Sequence, residues 1–581
     1  MIAPHLAATH VAAHAASNSI TVPPIRWLAI LPPIIMIGGA VVLLGLASLV
    51  RKPLRVRVST IATVIISGGA LGVSLWQWAD VQQHGAHTYV KNAVVMDGFS
   101  VLIVMLVAIA MLLTALVADG YLRREGIQGA EFHVLAMVSA SGAMLMAMAN
   151  DLIIVFLGLE ILSIALYVLT AFNHKRAASG EAALKYFILG GFSSAIFVYG
   201  IALTYGATGS TNLTQISDFL SKNVVLTNGL LLAGLSLMLV GFAFKVAAVP
   251  FHMWTPDVYQ GAPSPVTGFM AAVAKAGAFA ALLRVLFSSF GVIETDWRPI
   301  IYGLAVLSLV LGAFVALRQR DVKRMLAYSS ISQAGYVLVG VQAGNPAGTA
   351  STLFYLLTYV FIVMGSFAVI SVIQEEGEVR NDLGAIRGLS RRSPRLAAAM
   401  LIFLLAQAGV PFTSGFLAKF YVISAVIQRG QYPLAVIAML AAAIAAFFYL
   451  RVGLLMYLPV HGDGAVSPSG GGVGGIADGS GLGSSESPAD PDALEPIDSA
   501  AVAGLEPTGA GLSPGPGAVA AAGGAAPVGA SVAGTLEPPS DAKVEIPLTV
   551  SIALVVCVAF TIFAGVSNPV IDFARHATTL F

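Results

Sequence analysis

The sequence predicts an all-α polytopic membrane protein with about fourteen transmembrane helices. Three observations carry this. Hydrophobic residues make up 57% of the 581-residue chain and charged residues 10%, with a mean hydropathy of +0.87, far from the balance of a soluble globular chain. Apolar runs of about 20 residues, long enough to cross a bilayer as helix, recur along almost the whole length. Basic residues cluster in alternate connections between those runs, as the positive-inside rule requires of a multi-pass chain.

The runs place spans near 27–50, 58–78, 98–118, 132–149, 151–171, 182–206, 228–249, 265–290, 299–317, 322–342, 348–373, 396–428, 432–458 and 545–568. The basic stretches 51–57, 123–124, 175–176, 318–324 and 387–395 follow spans one, three, five, nine and eleven. The other connections hold an isolated Lys91, Lys222, Arg298 or Arg429. The basic connections are therefore expected on the cytoplasmic side and both termini outside.

Residues 1–26 read as a flexible outer tail. It has no Lys or Arg before Arg26, so it lacks both the basic start of a secretory signal and the arginines of a transit peptide. His5, His10 and His14 are too loosely spaced in this Ala-rich tail to read as a metal site. Residues 27–130 hold the first three helices. Residues 459–544 are Gly-, Ala-, Ser- and Pro-rich, with no Lys or Arg between Arg451 and Lys543. Such a stretch buries too little apolar surface to offset its ordering entropy. We read it as a disordered cytoplasmic insertion, inert rather than a functional tether, ahead of the last helix and outer C-terminus in 545–581.

Spans four to eight (131–290) and nine to thirteen (299–458) read as two copies of one unit. The fourth helix of each set is interrupted at a proline, Pro250 in span seven and Pro411 in span twelve, because proline removes a helical hydrogen bond and clashes with the preceding turn. Lys245 precedes Pro250 by five residues, about 7.5 Å of helix. Lys419 follows Pro411 in a span that runs the opposite way. Both lysines then fall on the outer side of their breaks, the arrangement an inverted-topology repeat predicts.

Four charged residues lie deep in apolar stretches: Glu160, Lys245, Lys275 and Lys419. A charge near the bilayer centre costs about 2.5–3.5 kcal/mol on insertion scales, so such residues face a polar interior, pair, or carry ions. Burial disfavours the charged form of a lysine and a neighbouring carboxylate favours it. A Glu160 that engages and releases Lys245 would thus load and unload a proton, with Lys275 and Lys419 as later carriers. His252, Thr255, Ser329, Ser330, Ser332, Gln333 and Tyr336 could bridge the gaps through water. The alternative for the four charges is a set of static ion pairs locking helices together. Glu181 and Lys185, spaced i,i+4, suit a structural salt bridge or a place on the proton path. His252 suits either a neutral hydrogen-bonded ring or a shuttle. Arg318, Lys323 and Arg324 read as topology anchors.

The single cysteine, Cys557, excludes an internal disulfide and a cysteine-ligated cluster. No phosphate-cradling glycine motif occurs in a soluble βα setting. No cofactor, metal or nucleic-acid partner is expected for this chain.

The stretch FKVAAVPFHMWTPDVYQGAPSPVTGFMAAVAKAGAF (244–279), the tract DVKRMLAYSSISQAGY (321–336) and GVPFTSGFLAKFYV (409–422) together resemble the antiporter-like membrane subunits of respiratory NADH–quinone oxidoreductase, complex I. The likeness covers about 27–458 and 545–568. WTPDVYQGAPSPV favours the subunit-N branch over the L and M branches, and Lys419 stands where an M-like chain would carry glutamate. The lateral amphipathic helix of an L-like chain is missing. The resemblance implies that Glu160 and Lys245 form a modulating pair, Lys275 the central relay and Lys419 the exit-side group. It implies proton pumping across a bacterial plasma membrane, with NADH, FMN, iron–sulfur clusters and quinone handled by other subunits. It also implies small quinone-proximal subunits on one side and an M-type subunit on the other. Gln333 departs from the family's S-I-S-H-x-G pattern and cannot titrate, so a proton passing there needs water. The competing reading is a subunit of a multisubunit cation/proton antiporter.

Overall fold

The computed structural model describes residues 26–127, 129–223, 229–374, 382–459 and 543–579. The chain divides into a membrane unit, Met1–Val460 with Pro539–Phe581, and a second unit, His461–Pro538. The second unit, like the three tail histidines and nearly all of the expected insertion, lies outside the described residues.

The membrane unit is almost entirely helical. It opens with α1 (Leu31–Leu49), α2 (Arg55–His84), α3 (Gly98–Arg124), α4 (Glu131–Met148), α5 (Leu152–Thr170) and α6 (Ala177–Thr208). After the short α7 (Leu213–Lys222) come α8 (Gly229–Val246), α9 (Trp254–Gly261), α10 (Ser264–Phe269) and α11 (Lys275–Arg284). The chain continues through α12 (Glu294–Leu317), α13 (Val322–Ala343), α14 (Pro346–Ile373), α15 (Leu389–Arg392), α16 (Pro394–Ala408) and α17 (Ser414–Gln428). It closes with α18 (Tyr432–Tyr457), α19 (Leu548–Val566) and α20 (Pro569–Thr579).

Twelve of the described helices are long and apolar enough to cross a membrane. Two further elements join the bundle despite failing that criterion. The helix α13 carries Lys323, Arg324 and a run of serines, with all but Arg324 and Tyr328 of its residues buried, and α16 with α17 forms one span in two pieces. A helix buried on all sides by other helices can carry polar residues that a lipid-facing one cannot.

The expected spans differ from the helices mainly at the breaks. Span seven leaves the helix at Val246, not at 249, and resumes as α9, an element the apolar pattern does not mark. The stretch 265–290 contains two π-helical turns, Met270–Ala274 and Val285–Ser289, flanking α11. A small hairpin, His87–Tyr89 paired antiparallel with Val94–Met96, and the amphipathic α7 and α20 also lie outside the apolar runs.

Glycines let the central helices approach. A Cβ on Gly142 of α4 would fall 2.5 Å from the backbone nitrogen of Leu162 on α5, so this pair touches backbone to backbone, as small residues allow in membranes. That contact fixes the helix carrying Glu160.

Among the buried charges that the apolar pattern does not single out is Arg284. Arg284 donates to both oxygens of Asp97, at 2.8 and 2.9 Å, and to the Ala147 carbonyl at 3.1 Å. Asp97 is at the same time the N-cap of α3, accepting from the Ser100 backbone N–H at 2.7 Å. This pair ties α3, α4 and α11 together.

Candidate functional site

The two helix breaks are built from backbone groups that find partners, as broken helices within a bilayer must. At the first, the Val249 N–H donates to the Ser308 hydroxyl of α12 at 2.9 Å, and Trp254 Nε1 donates to the Phe244 carbonyl at 2.8 Å. At the second, Gly409 ends α16 with φ +88°, the left-handed cap that glycine adopts freely. A Cβ there would meet the Lys419 side chain at 3.0 Å. Gly409 thus turns the chain and leaves room for the lysine.

Lys245 lies at the end of α8 and is 3% exposed. Its Nζ donates to Ser163 Oγ at 2.7 Å and to the Tyr186 hydroxyl at 3.2 Å. Glu160, one turn before Ser163 on α5, forms no direct ion pair with it. The implied modulating pair is therefore not a static bridge, and Glu160 Oε1 is buried with no hydrogen-bond partner among the described residues. The two charges remain near enough to interact electrostatically. A cavity of about 10 Å³ bordered by Lys245, Ser163, Tyr167, Ser193 and Ser194 has room for about one water.

Lys275, also 3% exposed, begins α11 directly after the first π-turn. Such turns reset the register of the side chains that follow and recur at functional sites. Lys275 Nζ donates to the carbonyl and to the hydroxyl of Ser330 on α13. The same hydroxyl meets Tyr259 at 3.2 Å and accepts from Tyr359 at 2.9 Å.

The stripe continues along α13. Ser329 Oγ meets the Tyr449 hydroxyl and donates to Gln407 Oε1 at 3.1 Å. Gln333 Nε2 donates to the Tyr449 hydroxyl at 3.1 Å and to the Gln407 carbonyl at 3.2 Å, and Gln333 Oε1 accepts from Tyr355. Lys419 Nζ donates to the carbonyls of Gln407 and Ala408, at 2.7 and 3.0 Å, with the Tyr336 ring 4.8 Å away. These carbonyls are freed by the break that ends α16.

The proposed bridging residues divide. Ser329, Ser330 and Gln333 lie in the stripe. Tyr336 supports Lys419 with its ring, while its hydroxyl donates to Ala438. Ser332 faces α12, its backbone against Gly312. The Thr255 hydroxyl and His252 Nδ1 are buried with no partner among the described residues. Between the Lys245 and Lys275 clusters no hydrogen bond is made among the described residues. Trp254 stands there, stacked on Tyr186 at 4.6 Å and edge-on to Tyr259 at 6.4 Å.

At one end of the site lies a charged network. Lys185 Nζ contacts Glu181 at 2.8 Å and Asp257 at 3.0 Å. Arg324 donates to Asp257 at 2.7 Å and to Gln260 at 3.1 Å, and Gln260 donates to Asp321 at 3.1 Å. Burial raises the Asp321 carboxyl above its ordinary value, against the pull of the Arg324 backbone N–H. Arg324 and Lys323 are more than anchors. Lys323 is fully buried, donating to the Ala262 carbonyl, because α13 carries it into the bundle and not to a lipid-facing end.

The residues that the sequence reading did not single out are the neutral partners: Ser163, Tyr186, Tyr259, Tyr355, Tyr359, Gln407 and Tyr449. Five of them are hydroxyls inside apolar spans, Tyr259 lies on α9 between two spans, and Gln407 stands two residues before Gly409 at the second break. Those positions are the signal that could have found them. No group of three or more His, Cys, Asp or Glu side chains able to hold a metal occurs among the described residues.

The family described as NADH:quinone oxidoreductase/Mrp antiporter, TM, matches residues 149–445, which include Glu160, Lys245, Lys275 and Lys419. NADH-quinone oxidoreductase subunit N of Trichlorobacter lovleyi is 46% identical over 367 residues, 63% of this chain and 75% of the relative. The subunit N of Chloroflexus aggregans is 40% identical over 446 residues, 76% of this chain and 90% of the relative. A chain of respiratory complex I from Thermus thermophilus with bound aureothin superposes with TM-score 0.63 at 35% identity, over 73% of this chain and 90% of that one. A chain of the Mrp complex from Dietzia superposes with TM-score 0.66 at 23% identity, over 74% of this chain and 80% of that one, a likeness of fold alone.

Proposed function

The chain belongs to the NADH:quinone oxidoreductase/Mrp antiporter transmembrane family, and from that premise we propose how its buried lysines move a proton. It is a proton-pumping membrane subunit of NADH–quinone oxidoreductase, of the subunit-N type, and part of the enzyme that couples electron transfer from NADH to quinone to proton translocation. The electron-transfer cofactors of complex I are carried by other subunits. The antiporter reading has a likeness of fold behind it, whereas the subunit-N reading has sequence identity of 40–46%.

A proton is taken up near Lys185, Asp257 and Arg324 and loaded on Lys245 while Glu160 is charged. It crosses to Lys275 past Trp254, then follows the hydroxyls of Ser330, Ser329 and Tyr449 towards Lys419. One observation carries this reading. Lys245, Lys275 and Lys419 are at least 94% buried, each held by neutral oxygens and none by a carboxylate. Static ion pairs would hold each lysine on an acid. Hydroxyls both donate and accept, so a row of them can relay a proton. Gln333 cannot titrate, but Tyr449 stands between it and Ser329 and offers a hydroxyl route beside it. The gap at Trp254 supports a controlled step, since a proton crosses it only when water enters.

Helices 131–290 and 299–458 act as the two inverted repeats, each contributing one break and one break-side lysine. In the assembly, small quinone-proximal subunits flank one side and an M-type subunit the other. The basic connections face the cytoplasm of the bacterial plasma membrane, with both termini outside.

The test is proton pumping and NADH–quinone reductase turnover in membrane vesicles with assembled complex quantified. Lys245→Ala is expected to leave assembly intact and lower pumping roughly tenfold or more. Tyr449→Phe keeps the ring, removes the relay hydroxyl and is expected to lower pumping by less. Normal pumping by fully assembled Lys245→Ala overturns the route.

A further inference from the structure

Away from the proton site, α16 and α19 border a groove of about 1080 Å³. Both helices begin at the same lip, α16 at Pro394 and α19 at Leu548. Around that lip stand Arg391, Arg392, Arg395 and Lys543, and no carboxylate is among the lining residues. Below it the walls are apolar but for Ser551, whose hydroxyl donates to the Pro547 carbonyl at 3.2 Å. Ala398, Ala399 and Ile402 come from α16, and Leu554, Val555 and Val558 from α19, at the one-face spacing of a helix.

Of the four cations, Arg391 and Arg392 each interact with other groups as well. Arg392 donates to the Ala385 carbonyl at 2.6 Å, which holds the loop before α15. Arg395 and Lys543 are exposed and make no hydrogen bond or ion pair among the described residues. Two helix N-termini add positive potential at the same level. A strongly positive lip over a dry wall running into the bilayer suits neither a soluble anion nor a neutral lipid. The first leaves the wall uncovered and the second leaves the charge unanswered.

We infer that this groove is a binding site for an anionic diacyl phospholipid, its phosphate held by Arg395 and Lys543 with Arg391 beside them and its acyl chains laid along α16 and α19. Basic pockets between transmembrane helices are recognised sites for acidic headgroups. The chain itself offers a rival. Lys543 closes the stretch 461–542, which contains acidic residues and no Lys or Arg. That stretch matches the lip in charge, but its Gly-, Ala- and Pro-rich composition has few large apolar side chains to cover the walls. The lipid is the better match to both halves of the groove.

The test uses the whole assembled complex in phosphatidylcholine vesicles containing a trace of photoactivatable diacyl phosphatidylglycerol, or the same probe with a phosphocholine headgroup. Cross-links are mapped by peptide mass spectrometry. The glycerol probe is expected to label Ile402, Leu554 and Val558 several-fold more than the choline probe. Arg395→Gln and Lys543→Gln are each expected to reduce that labelling about fivefold. Ala398→Trp, which keeps every charge and fills the wall, is expected to abolish it with pumping unchanged. Equal labelling by the two probes overturns the proposal, and so does labelling indifferent to all three substitutions. Labelling that appears only after residues 463–538 are replaced by a short linker also overturns it, and assigns the groove to the insertion.

Discussion

At the scale of single residues, Glu160 Oε1 is buried without a hydrogen-bond partner and Lys245 is held by Ser163 and Tyr186 instead. A carboxylate so placed acts on the lysine through its field and not through a bridge. Glu160→Gln removes the field and keeps size and hydrogen bonding, so Lys245 should load protons poorly and pumping should fall at normal subunit content. Glu160→Asp retains the charge at a slightly greater distance and should be milder. Subunit content and pumping in vesicles distinguish the two variants. Equal pumping by both removes the charge-dependent role. A loss confined to the amount of assembled complex would instead mark Glu160 as structural.

Among the elements, α3 and α11 depend on one buried pair. Asp97 caps α3 and accepts two charged hydrogen bonds from Arg284, and the two side chains are 2% and 3% exposed. Asp97→Ala removes the cap and both bonds, a loss of about 3–5 kcal/mol for a buried pair broken on one side. The expected outcome is less assembled complex, with pumping per assembled complex nearly unchanged, because neither residue touches the lysine row. Blue-native gels together with pumping normalised to subunit content measure both. A normal amount of complex with reduced pumping would place the pair in the proton route. Packing likewise explains how α13, placed as a span by its run at 322–342, can be less apolar than the other spans. Its serines and Gln333 are covered by α12, α14 and the two half-helices, so polarity is no obstacle to its place in the bundle.

For the whole molecule, residues 461–538 form a unit separate from the membrane unit. Replacing 461–541 by a short flexible linker between α18 and α19 should therefore preserve assembly and pumping. Long insertions add little loop-closure cost, since each doubling of length adds about 0.6 kcal/mol. Loss of assembly in that deletion would identify the segment as a docking element.

Much of this was legible in the residues. Composition and the spacing of apolar runs determined the class and the order of spans, because bilayer thickness sets helix length and backbone hydrogen bonding permits little else. The same argument picked out Glu160, Lys245, Lys275 and Lys419, since a charge in an apolar run is conspicuous. It missed Arg284 because that residue lies towards the end of its run, where a basic side chain looks like an anchor. What the tertiary structure alone decided is which groups meet. Lys245 finds Ser163 and Tyr186 rather than Glu160, Lys275 is set by a π-turn onto Ser330, and Lys419 takes the carbonyls freed at Gly409. Those choices depend on helix rotation and on backbone approaches of a few ångströms between helices far apart in the chain. Hydropathy records depth along a helix, not the direction in which a side chain points.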